Sequence, residues 1–82
     1  MNINIDLVRR TDKKYMARIP GFSRMWIGAG ETPDEARSEL IRAVKTYGVR
    51  RWRVGKELIP DDFRVMVTRI GKIDKAGRIT WV

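Results

Sequence analysis

The segment that most constrains this chain is Thr32-Pro33-Asp34-Glu35-Ala36, followed by a run of helical periodicity that ends at Gly48. The Thr32 hydroxyl can cap the first turn. Pro33 suits the first helical position, where a missing N–H costs nothing. Glu35 stands three residues after Thr32, so a capping box is expected in which each side chain meets the other residue's backbone N–H. Asp34 and Glu35 put negative charge at the positive end of the helix dipole, and Gly48 is a cheap left-handed stop. Ala36, Leu40, Ala43, Val44 and Tyr47 recur as one apolar stripe, with Arg37, Glu39, Arg42 and Lys45 on the other side. The spacing predicts a helix over residues 32–47. The rest of the chain reads as strand, turn or basic linker, so this stripe must cover a sheet.

Residues 2–9 alternate, with Ile3, Ile5 and Leu7 on one face and Asn2, Asn4, Asp6 and Val8 on the other, the pattern of a half-buried strand. Arg9–Lys14 is polar and reads as a hairpin loop. Tyr15–Ile19 is a second strand, stopped by Pro20-Gly21. Met25–Ala29 is a third, feeding into the helix, and Gly28 and Gly30 mark close backbone approach or a tight bend. Past the helix, residues 49–53 either extend it or begin a strand, and Gly55 and Pro60 make the next stretch a connector. Phe63–Ile70 has strong strand propensity. Residues 71–78 provide a hairpin turn, and Ile79–Val82 can return as a short last strand. The expected architecture is a single α+β domain over 1–82, with its core in 2–60 and a C-terminal strand or hairpin in 63–82. It has two layers, a mostly antiparallel sheet with one helix on one face, in the order β-β-β-α-β with a further short strand.

Several classes of chemistry are excluded by what the chain lacks. It has no cysteine, hence neither disulfides nor thiolate metal sites. It has no histidine, which removes the usual base near neutral pH and every imidazole-ligated metal centre. Metal-dependent nuclease chemistry needs converging carboxylates. Asp6 and Glu35 or Glu39 are the plausible contributors, but Glu35 is claimed by the cap, Asp61 and Asp62 lie in a connector, and no third partner is evident on a later strand. Gly28-Ala29-Gly30 is too short for a dinucleotide fingerprint. A non-catalytic chain without metal or cofactor is expected. No apolar run approaches the roughly 18 residues of a membrane span, and the first residues lack the basic start and apolar block of a signal peptide, so a cytoplasmic location is expected. With 82 residues the core is modest, and oligomerisation is one way to add burial.

The net charge of +8, from 18 Lys and Arg against 10 Asp and Glu, favours polyanions or an acidic protein surface, or serves solubility alone. The clearest basic-aromatic group is Arg50, Arg51, Trp52, Arg53 and Lys56, where cations can neutralise phosphates and an indole can stack on a base. In the alternative, Trp52 packs on the helix end and the arginines are solvated or pair with Asp61 and Asp62. Arg9, Arg10, Lys13 and Lys14 form a second basic group in the first hairpin. One face of the sheet is covered by the helix; the other needs a partner or polar side chains. Met16, Arg18, Trp26, Met66 and Thr68 are expected there, as an oligomer or partner surface.

Tyr15-Met16-Ala17-Arg18-Ile19-Pro20, then Gly30-Glu31-Thr32-Pro33-Asp34-Glu35-Ala36, then Leu40 and Ala43, with Leu58-Ile59-Pro60 after the helix, resemble the HicB-like antitoxin family over about residues 3–60. The matching motif consists of structural residues. The resemblance implies a β-β-β-α-β fold, a truncated relative of ribonuclease H that generally lacks its catalysis. It also implies dimers or larger assemblies, and an antitoxin that blocks a small toxin ribonuclease, HicA. Many members carry a further DNA-binding segment, whereas here residues after 62 read as a hairpin. Beside that reading stand a basic nucleic-acid-binding module and an orphan self-assembling domain of the same fold.

Overall fold

The computed structural model describes residues 1–20, 25–46, 53–54, 57–58, 60 and 62–82. Its elements are β1 (Asn2–Arg10), β2 (Tyr15–Arg18), β3 (Gly28–Gly30), α1 (Pro33–Thr46), β4 (Arg53–Val54), β5 (Glu57–Leu58), β6 (Arg64–Ile73) and β7 (Ile79–Trp81). Five strands form one sheet in the order β3-β2-β1-β6-β7, and β4 pairs with β5 in a separate two-stranded ribbon. The first three strands run as an antiparallel meander. After the helix the chain returns as β6, parallel to β1, and β7 folds back antiparallel on β6. The α+β architecture with one helix on a mostly antiparallel sheet is therefore the one found; among the described residues one pairing is parallel, and it joins β1 and β6.

The helix starts as its sequence dictates. The Thr32 hydroxyl accepts the Glu35 N–H at 3.1 Å, and the Thr32 carbonyl accepts the Ala36 N–H at 3.1 Å. One detail differs from the expected box. The Glu35 carboxylate accepts the N–H of Glu31, at 2.9 Å, rather than that of Thr32. Glu31 directly follows β3, so the bond ties the strand–helix joint as well as the cap. The expected stop, Tyr47-Gly48, lies outside the described residues.

Ala36, Leu40 and Val44 are buried against Ile3, Ile5, Leu7, Ala17, Ile19, Phe63 and Val65, with Tyr15, Ile27, Ile41 and Val67 at the margin. Burying one such aliphatic side chain contributes about 2 kcal/mol. The helix can approach this closely because β3 has no side chain at Gly28. A Cβ there would lie 2.6 Å from the Leu40 amide nitrogen and 2.9 Å from its Cβ. The expectation of close backbone approach at this glycine is met.

Several boundaries are corrected. The second strand ends at Arg18 rather than Ile19, and the third is Gly28–Gly30 rather than Met25–Ala29. The Ile27 N–H still bonds the Ala17 carbonyl at 2.9 Å, which carries the edge of the sheet back toward Trp26. Gly71-Lys72-Ile73 is strand, not turn. The turn is Asp74–Gly77, where the Asp74 carboxylate accepts the N–H groups of Ala76 and Arg78, both at 2.9 Å, and Gly77 supplies a φ of +82°. Gly71 has the look of a breaker in sequence. In the sheet it pairs with Val8 and Trp81, and its missing side chain makes room for an indole: a Cβ on Gly71 would stand 2.8 Å from Cε3 of Trp81.

A register shift interrupts the β1–β6 ladder. Ile5 pairs with Val67, but Asp6 pairs with Arg69, leaving Thr68 as an extra residue whose hydroxyl reaches the Ile5 carbonyl at 3.4 Å. A bulge of this kind inverts which face each following side chain takes. Val65 and Val67 face the helix with Ile3 and Ile5; past the bulge, Arg69 turns to the opposite face beside Asp6.

Candidate functional site

The face of the sheet away from the helix carries one continuous row of side chains. Trp26 stands beside the β3 edge, Arg18 is on β2, Asp6 on β1, Arg69 on β6 and Trp81 on β7. Register alone brings them together, since Asp6 pairs with Arg18 on one side and with Arg69 on the other. The Asp6 carboxylate is fully buried and accepts three charge-assisted bonds. Arg69 clamps it with Nε on Oδ1 at 2.9 Å and Nη2 on Oδ2 at 2.8 Å, and Arg18 Nε meets Oδ2 at 3.1 Å. The parallel two-bond geometry is what a planar guanidinium offers a carboxylate.

The arginines in turn are roofed by the tryptophans. The Arg18 guanidinium carbon lies 4.5 Å from the Trp26 ring centre and 5.9 Å from that of Trp81. That of Arg69 lies 4.0 Å from Trp81. These distances fall within cation–π range. The Arg18 side chain is 20% exposed and that of Arg69 49%, so the row is wet along one side and dry at Asp6. Val8, on the same face, is buried as completely as any residue under the helix, and Met16 is half-buried beside it.

The Arg69 hydrogen bonds, seconded by Arg18, hold the Asp6 carboxyl below its usual value against the opposing effect of burial. The same pairing raises Arg69. Asp6 therefore stays ionised at neutral pH with both oxygens occupied by guanidinium groups. Among the described residues, no three Asp or Glu side chains are grouped to hold a metal ion.

Of the residues expected on this face, Met16, Arg18, Trp26 and Met66 lie on it, and Met66 is 51% exposed. Thr68 is instead the bulge residue. Of the expected basic-aromatic group, Arg50, Arg51, Trp52 and Lys56 lie outside the described residues; Arg53 begins β4. Asp6, Arg69 and Trp81 were not foreseen as one group. A signal for them exists. The apolar spacing of Val65, Val67 and Ile70 steps from two to three, which is the mark of an inserted residue, and it puts the intervening arginine out of phase with the valines.

A shallow cleft beside the helix start is lined by Ala29, Asp34, Glu35, Ser38 and Glu39. A second runs between Met16, Trp26 and the β6–β7 turn on the open face. A third, at the far end of β1 and β6, is lined by Arg9, Arg10, Thr11, Lys13, Lys72 and Ile73. No protein-family model, no curated protein and no solved structure matches the chain. Among the described residues no helix is long and apolar enough to cross a membrane.

Proposed function

We propose that this chain is a non-catalytic binding protein of the HicB-like antitoxin type, which sequesters a small HicA-like toxin ribonuclease through the open face of its sheet. The observation that carries the reading is the Trp26–Arg18–Asp6–Arg69–Trp81 row. Tryptophan and arginine are the residues that most often anchor protein interfaces. Here their side chains are already held by stacking and by the carboxylate, so little side-chain freedom is lost on docking. The β-β-β-α-β order and the Gly30–Ala36 strand–helix joint fit the same reading. So does Asp6, the one carboxylate on the central strand, which is neutralised by two arginines rather than left open to a cation.

The test is co-expression with a HicA-like ribonuclease, scored by RNA cleavage in the purified mixture. Cleavage should fall as the chain approaches equimolar amounts, and Trp81→Ala should restore it. A toxin that stays fully active with excess wild-type chain overturns the reading.

A second reading, self-association through the same face, is favoured by the exposed Met66 beside the row. Sedimentation across a concentration series should then give a dimer that Met66→Lys disperses. A monomer at high concentration removes it.

A further inference from the structure

The cleft at the far end of the sheet joins cations that are distant in sequence. Arg9 and Arg10 close β1, Lys13 sits in the following turn, and Lys72 comes from the end of β6. Its volume is about 230 Å³. Lys72 is the cross-strand register partner of Arg9. Adjacent strands lie about 4.8 Å apart, and like charges directly opposite each other are destabilising. Among the described residues no carboxylate lies within ion-pair reach of Arg9, Lys13 or Lys72. Arg10 has one partner, Asp12 at 3.3 Å, with both side chains about half exposed.

The turn adds an independent observation. Lys13 has a φ of +66°, the left-handed region, and no other described residue except Gly77 has a positive φ. The turn is closed by the Lys13 N–H on the Arg10 carbonyl at 3.0 Å and the Arg10 N–H on the Lys14 carbonyl at 2.7 Å. Glycine or asparagine fills such a position without strain. A lysine here keeps a charge over the cleft at the expense of backbone comfort, and strained non-glycine residues cluster where function holds them.

We propose that this cleft is a phosphate-binding site for the sugar-phosphate backbone of nucleic acid, with Arg9, Arg10, Lys13 and Lys72 as the phosphate-contacting residues. A phosphate between Arg9 and Lys72 converts their repulsion into two charge-assisted contacts, and the Thr11 hydroxyl adds a neutral donor. The described lining contains no aromatic ring to stack on a base. The site therefore reads charge and not sequence. Arg10, Thr11 and Ile73 also line the open-face cleft that reaches Trp26, so the two clefts adjoin at the β1–β2 turn.

The experiment is fluorescence anisotropy with a labelled mixed-sequence RNA, single-stranded and as a duplex, from 50 to 200 mM salt. Four phosphate contacts give a slope of log affinity against log salt of about −3 for the single strand and nearer −4 for a duplex. Lys13→Gly and Lys72→Gln should each flatten that slope by just under one unit and weaken binding on the order of tenfold near 0.1 M salt. Lys13→Gly also relieves the left-handed strain, so its melting temperature should hold or rise and misfolding cannot account for the loss. Lys45→Gln, on the exposed side of the helix, is the control and should change binding little. Binding of either RNA form with these variant effects supports the site and names the form preferred. The proposal is overturned if neither RNA binds at 50 mM salt. It is also overturned if the Lys13→Gly/Lys72→Gln double variant binds as wild type, or if Lys45→Gln weakens binding as much as Lys13→Gly.

Discussion

The two faces of the central sheet are built from opposite materials. Under the helix, Ile3, Ile5, Leu7, Ala17 and Val65 meet Ala36, Leu40 and Val44, with Phe63 the one aromatic ring buried in the same cluster. On the other face an aspartate as deeply buried as any of them lies between two arginines and two tryptophans. The first face gains stability from area removed from water and needs only the right volume. The second gains it from geometry, since a buried carboxylate is favourable only while its hydrogen bonds are complete. The aliphatic face should therefore tolerate conservative exchange, and the polar row should be most sensitive at its central carboxylate.

The largest expected effect tests the aliphatic side. Leu40→Ala should cost about 3–4 kcal/mol, seen as a lower urea midpoint with little change in slope. Leu40→Met should cost under about 1.5 kcal/mol. Next, Asp6→Ala should cost about 3 kcal/mol, because it strands two guanidinium groups that were arranged around a charge. If Asp6→Ala were neutral, the open face would be decoration, and the comparison would collapse.

Acid sharpens the same point. Asp6 has a folded-state value below its unfolded one, so its stabilisation is fully present well above an unfolded value of about 3.9 and is lost as pH falls through the folded value. The urea midpoint of the wild type should thus drop from about pH 5 downward. Part of that drop should vanish in Asp6→Asn, and an unchanged acid profile would remove the ion pair from the account.

Smaller effects follow at the margins. Trp81→Ala should cost about 1–2 kcal/mol through lost stacking and area, and it should quench the near-ultraviolet circular dichroism of the row. Smallest is a gain. Lys13→Gly should raise stability by about 1 kcal/mol, because the residue sits in a left-handed conformation. A loss there would mean that the lysine side chain holds the turn rather than burdens it.

What was legible in the sequence follows the same divide. The helix start could be read because a cap is local: Thr32, Pro33 and Glu35 act within one turn. The aliphatic face could be read because Ile3, Ile5 and Leu7 keep strict period two. The open face could be listed in part, as Met16, Arg18, Trp26 and Met66 have the right parity, but not assembled. Its centre depends on which strand lies beside β1 and in what register, which neighbours in the chain do not encode; the extra residue at Thr68 left only the stepped spacing of Val65, Val67 and Ile70 as its mark. Gly71 was misleading for a related reason. A glycine in isolation signals a turn, and only the position of Trp81 reveals it as a seat for a ring.

The parallel pairing of β1 with β6 also governs when this protein can exist. Asp6 and Arg69 are 63 residues apart in the chain. Closing so long a loop before any contact rewards it makes such pairings slow to form. During synthesis, the meander and the helix emerge first and can meet each other. The central strand still lacks its neighbour, and its buried carboxylate lacks one of its cations, until β6 has followed. The row of Asp6, Arg69 and Trp81 can therefore assemble only after both β6 and β7 have been made.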